Sequence, residues 1–177
     1  QVALDAMSKL IQTAAQPPAV EGVTASAAVF KATGTDFAFY GYNNPAAPPA
    51  KIEFAVVNGN LRETVTPSTN SGPKACQPPY AYGTGITRTL ASGVSTSSAV
   101  FSYFSQPTAA NLGGTALSLV GNPASLSTSD MANVELVSIN VRVGRNTNPS
   151  VTPTGASVTV SLPNHLVATT NLPRSAC

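Results

Sequence analysis

Apolar residues at helical spacing open the chain. Ala3, Ala6, Met7, Leu10 and Ala14 recur within residues 1–15, and Asp5 and Lys9 stand four apart on another face, placed for an ion pair. This pattern predicts a helix. Pro17-Pro18 ends it, because the residue before a proline is pushed out of the helical region. No capping residue precedes Val2, so the helix reads as cut through rather than begun. Beyond it the period drops to two. Val23, Ala25, Ala27 and Val29 alternate with polar or small residues. Phe37-Ala-Phe-Tyr-Gly-Tyr predicts an aromatic strand, closed by Asn43-Asn44-Pro45 and Pro48-Pro49.

The clearest hairpin runs from Lys51 to Val65. Asn58-Gly59 suits a type I′ turn, in which both central residues need positive φ. That turn sets Val57 opposite Asn60, Val56 opposite Leu61 and Ile52 opposite Val65. Ile52, Phe54, Val56, Leu61 and Val65 then form the core face. Glu63 falls on the same face opposite Phe54, which predicts an edge position where its carboxylate reaches water.

Residues 66–85 read as a long Pro/Gly/Ser/Asn loop. Val100–Phe104 is a short aromatic strand, 105–115 a loop and Leu117–Val120 a brief apolar segment. In Glu135–Val143, Val137, Ile139, Val141 and Val143 are expected inward, with Ser138, Asn140 and Arg142 outward. Val158, Val160 and Leu162 repeat the alternation, joined to the preceding strand through 144–155, and 163–177 form a tail. The expectation is one domain over 1–177: a helix end in 1–16 and a β-rich head in 20–177.

Composition narrows the function classes. Charged residues are 9% of the chain and the net charge is +2, with the basic residues scattered. A polybasic nucleic-acid arm, a coiled coil and a charge-rich disordered tail are excluded. The 42% hydrophobic content suffices for a core, and no run of about 18 apolar residues suggests a membrane span. The 15 prolines suit strand edges blunted against aggregation.

Chemistry-bearing residues are few. Cys76 and Cys177 leave two readings, a pair of free thiols or one disulfide; the even count in a loop-rich chain favours the disulfide and an oxidising, extracytoplasmic compartment. His165 is the single histidine, with no GxSxG motif to make it catalytic, and it reads as a surface or tail-packing residue. Gly83-Thr84-Gly85 lacks the remainder of a phosphate loop and reads as a turn. Asp130 and Glu135 are the only acids close enough in sequence to suggest calcium, too few for a site. No catalytic residue, metal or cofactor is expected. Tyr40, Tyr42, Tyr80, Tyr82 and Tyr103 pack on the sheet with hydroxyls at its rim, or form a platform for glycan or single-stranded DNA. Tyr80 and Tyr82 are the exposed pair expected to contact such a ligand.

Several segments taken in order carry a family resemblance. Gln1–Ala15 (QVALDAMSKLIQTAA) resembles the soluble half of the long helix of type IV pilin-like subunits. Phe37–Tyr42 followed by Ile52-Glu-Phe-Ala-Val-Val-Asn-Gly-Asn-Leu-Arg-Glu looks like the strand pair of PilW-type minor pilins and J-type pseudopilins. Arg88-Thr-Leu-Ala-Ser-Gly-Val with Val100-Phe-Ser-Tyr-Phe, then Asn133–Val143, then Val158–Asn164, are similar to their later elements. The family's leader-peptidase site and apolar N-terminal segment do not occur in these 177 residues.

The resemblance implies an α+β fold, with a truncated N-terminal pilin helix packed on antiparallel β-sheets. It implies a structural minor subunit that primes a pilus-like filament or joins its tip complex, in a pilus, competence or secretion machine of a bacterium. Implied partners are other minor pilins, the major pilin and, through the missing segment, an inner-membrane assembly platform. The subunit would be membrane-anchored before assembly and at the cell surface after it. Ala3, Met7, Leu10 and Ala14 would form the helix–sheet seam. The alternatives are a surface binding module (tip adhesin or DNA-uptake receptor) and an unrelated secreted β-sandwich.

Overall fold

Asn58 and Gly59 take φ values of 50° and 71°. The turn they make closes β3 (Ala50–Val57) on β4 (Asn60–Thr66) with Val57 opposite Asn60, Val56 opposite Leu61 and Ile52 opposite Val65. This is the expected type I′ hairpin in its expected register. The computed structural model describes residues 2–17, 27–42, 47–71, 79–106, 113–122, 124–144 and 154–162. Around the hairpin, β1 (Val29–Ala32), β2 (Asp36–Gly41) and β5 (Ile86–Ser92) complete an antiparallel sheet in the order β1-β2-β3-β4-β5. A second antiparallel sheet, ordered β7-β6-β8-β9, is built from β6 (Phe101–Phe104), β7 (Ala116–Leu117), β8 (Leu136–Val143) and β9 (Thr154–Ser161). Two helices, α1 (Val2–Ile11) and the one-turn α2 (Thr128–Met131), accompany them. The architecture is mostly β, as expected.

Period-two alternation places the core between the sheets. Phe37, Phe39, Ile52, Phe54 and Leu61 face inward from the first sheet; Phe101, Tyr103, Val137, Ile139 and Val160 do so from the second, all buried. Phe37 holds the layers in register, its ring 6.0 Å from that of Phe101 and 5.7 Å from that of Tyr103. Each such side chain contributes roughly 1.5–3 kcal/mol through burial. The layers are also stitched by polar bonds. The N–H groups of Val100 and Phe101 both donate to the Gly34 carbonyl, at 2.7 and 3.1 Å. The buried Tyr103 hydroxyl donates to the Thr33 carbonyl at 2.8 Å, with the Asp36 carbonyl at 3.0 Å.

The helix is shorter than expected and rests on a different line of residues. It ends at Ile11, and its buried residues are Leu4, Met7 and Ile11. Of the expected seam, Met7 and Ala14 are buried, Leu10 is partly buried against the core and Ala3 is partly exposed. The larger Leu4 and Ile11 side chains bury more apolar surface than Ala3 can, which turns the contact line by one position. Asp5 and Lys9 do not close an ion pair; the ion pairs of the described residues are Lys31 with Asp36 and Glu53, and Arg88 with Glu63. α1 packs against β9. The chain then lies along the end of β2: the Ala15 N–H donates to the Tyr40 carbonyl at 2.9 Å and the Tyr42 N–H to the Thr13 carbonyl at 3.1 Å. Gly41 permits this approach, since a Cβ there would sit 2.7 Å from Thr13 Oγ1 and 2.8 Å from Ile52 Cδ1.

Other expectations are corrected. Glu63 is not at a water-filled edge: β4 lies between β3 and β5, and Glu63 is 4% exposed. Val143 is 41% exposed rather than inward, and pairs at the strand end with Val94, just past β5. Ile86–Ser92 is a strand that its sequence does not announce, because its residues lack alternating burial. Residues 128–131 form a helical turn, capped by the Ser127 hydroxyl accepting from the Asp130 N–H at 3.1 Å. The expected Val23 and Ala25 positions lie outside the described residues.

Candidate functional site, an aromatic cluster on the first sheet

The face of the first sheet turned away from the core carries the side chains that β2 and β3 do not bury. Tyr40 on β2 stands directly opposite Lys51 on β3. The Phe30 ring on β1 lies 4.8 Å from that of Tyr40. Beyond β4 the chain doubles back to bring Tyr82 onto the same patch. Ser68 pairs with Tyr82, the Thr69 N–H donates to the Ala81 carbonyl at 2.8 Å and the Gly83 N–H to the Pro67 carbonyl at 3.1 Å. The Asn70 side chain fastens this return, donating to the Pro79 carbonyl at 3.1 Å and accepting from the Ala81 N–H at 2.8 Å. Gly85 completes it. A Cβ there would fall 2.7 Å from the side chains of both Thr64 and Thr66, so glycine is required by close approach rather than by phosphate binding.

The result is a continuous aromatic surface. Tyr82 lies 6.1 Å from Tyr40, and the Lys51 ammonium sits 4.4 Å from the centre of the Tyr82 ring and 5.7 Å from that of Phe30. A cation over two ring faces fixes their orientation and is worth roughly 0.5–2 kcal/mol, according to exposure. Partial burial raises the hydroxyl pKa values of Tyr40 and Tyr80. Burial, and then the neighbouring Tyr80, push Tyr42 up to about 12. Burial pushes Tyr82 further still, with Tyr40, Tyr80 and Tyr42 adding to it. Tyr40 and Tyr82 are in ring contact, Tyr42 and Tyr80 lie within electrostatic range of Tyr82, and all four hydroxyls are protonated at neutral pH. The cluster can stack on a flat ligand and exchange neutral hydrogen bonds with it.

Beside this patch, Lys31 donates to Asp36 at 3.2 Å and to Glu53 at 2.6 Å. Thr33 and Thr35 donate to the other Asp36 oxygen at 3.0 and 2.9 Å. These charges are engaged with one another.

The structure sets Tyr82 against Tyr40, with Tyr80 and Tyr42 within electrostatic range of Tyr82, and separates Tyr103, which lies in the core. Phe30 and Lys51 are additions that sequence reasoning missed. The detectable signal for Lys51 was its place on the non-core face of the legible hairpin. Asp130 takes a hydrogen bond from Ser127 at 2.7 Å within its own helix cap. Among the described residues no three His, Cys, Asp or Glu come together to hold a metal, and no helix is long and apolar enough to cross a membrane. Cys76, Cys177 and His165 lie outside the described residues, and the expected disulfide with them. The chain matches no protein-family model and no curated protein.

Proposed function

We propose that this chain is the head of a type IV pilin-like minor subunit, a structural component that primes or caps a filament. The one-sided helix α1 supports this reading most. It buries Leu4, Met7 and Ile11 on its own head, while Val2 is 84% exposed and Asp5 and Lys9 face solvent. A filament subunit needs such a division, with one helix face for its own sheets and the rest for neighbours. The partners in this reading are other minor pilins, the major pilin and the membrane assembly platform. Deleting the gene should abolish or sharply reduce surface filaments, and the full-length gene should restore them. Unchanged filament number and length in the deletion strain would remove the assembly role.

The tyrosine cluster favours a second reading, a surface module that holds a glycan. Clustered, mutually tilted rings with neutral hydroxyls suit sugar faces, and the neighbouring cations are already engaged by rings and carboxylates. On this reading a glycan array gives saturable binding that Tyr82→Ala weakens at least about tenfold, a loss of roughly 1.4 kcal/mol. Absence of any such binding leaves the filament role alone.

A further inference from the structure

Among the described residues the sheets end in four edges, and three of them are blunted. β1 has four residues, a register shift between Val29 and Lys31, and a lysine. β7 has two residues. β5 carries Arg88, and its pairing with β4 shifts between Leu61 and Arg62. β9 is different. It runs for eight residues, TGASVTVS, without a charge or a proline, and pairs with β8 from Val143–Thr154 to Leu136–Ser161 with no shift. Natural proteins blunt edges because a long, flat, uncharged one is a template for another strand.

Among the described residues the outward-facing groups of this edge have no partner, and they can be located. The Leu162 N–H donates to the Glu135 carbonyl, whereas the Asn140 N–H turns the other way and donates to Val100. Antiparallel pairs alternate in this sense. Thr154, Ala156, Val158 and Val160 therefore direct their backbone groups at β8. Gly155, Ser157, Thr159 and Ser161 direct theirs outward, and all four are exposed.

We propose that β9 is an interface at which a second copy of this chain adds its own β9, antiparallel across a two-fold axis at Val158. That register sets Gly155 opposite Ser161 and Ser157 opposite Thr159, so every outward backbone group finds a partner. It is self-consistent on both faces. On the outer face the Ser157 hydroxyl meets that of Thr159 and Gly155 leaves room for Ser161, continuing the row in which Thr159 already donates to Ser138 at 3.4 Å. On the inner face Val158, half-buried, meets its own mate, and Ala156 meets Val160. An uncharged strand brings no like-charge repulsion to its copy, which an isologous contact requires. The β7-β6-β8-β9 sheets of the two copies become one continuous sheet through the dimer.

Sedimentation velocity on the full chain under reducing conditions tests this, with Cys76 and Cys177 unable to cross-link. From roughly 10 to 500 µM the mass should rise from 17.9 kDa towards twice that value. Thr159→Pro removes an outward N–H, and proline is tolerated at an edge facing solvent. Ser157→Lys places like charges across the axis without touching the core. Each should weaken the dimer at least about tenfold with an unchanged melting temperature. A chain that stays at 17.9 kDa throughout, or a dimer that neither variant weakens, overturns the proposal.

Discussion

Arg88 on β5 holds Glu63 on β4 through two parallel hydrogen bonds, from Nε at 3.0 Å and from a terminal nitrogen at 2.9 Å. The carboxylate is on the core face opposite Phe54, while the Arg88 side chain is 61% exposed. The guanidinium thus covers a buried charge from its solvent side. Arg88→Ala leaves that charge without its partner and should cost about 1–2 kcal/mol; solvent screening of Arg88 keeps the loss below that of a fully buried pair. Arg88→Lys, with no fork, should recover only part of it. Urea unfolding reads both, and a wild-type midpoint for Arg88→Ala would contradict the pairing.

Tyr103 tests how the two sheets are joined. Its hydroxyl crosses from β6 to the Thr33 and Asp36 carbonyls at the β1–β2 turn. Tyr103→Phe keeps the ring and removes the donor, so it should lose about 1–2 kcal/mol without changing the fold. Thermal unfolding and circular dichroism check it. Unaltered stability would mean that the hydroxyl bond adds nothing beyond ring packing.

The helix contact separates adjacent residues. Ile11 is fully buried and Leu10 only partly. A carboxylate at 11 meets no water and no partner, so Ile11→Asp should prevent folding or cost more than about 3 kcal/mol. Leu10→Asp should cost clearly less, because its carboxylate can turn outward. Equal melting temperatures for the two variants would place the contact line on Leu10 instead.

How far the sequence reaches is visible in these same residues. The β3–β4 hairpin was legible to the register, because Asn58-Gly59 dictates the turn and alternation dictates the face. The helix was legible as an element but not in its rotation, since small alanines at 3 and 14 repeat as regularly as Leu4 and Ile11. Glu63 was read as wet because its partner stands 25 positions away on a strand without apolar alternation. The aromatic cluster was half legible. Tyr80 and Tyr82 could be named, but their meeting with Tyr40 and Lys51 depends on the chain return fastened by Asn70.

High pH should loosen the aromatic cluster. Tyr42 ionises near 10 in the unfolded chain and near 12 in the folded one, because burial and Tyr80 disfavour its phenolate. The unfolded state therefore loses the proton first, and stability falls as pH climbs from about 10 through about 12. Below about 10 the contribution is fully present. Spectroscopic titration should show tyrosinate appearing late and with unfolding, and Tyr42→Phe should flatten the decline. Ionisation of every tyrosine near 10 in the folded protein would contradict the packing.

The filament account is tested most directly on the native protein. Surface filaments are sheared from the source cells, and the subunit's mass and N-terminal sequence are determined there and in membranes. The account predicts its presence in the filament fraction, with a mature form extending upstream of Gln1 by an apolar segment of about 20 residues. A native protein that begins at Gln1, stays in solution and is absent from filaments would contradict it.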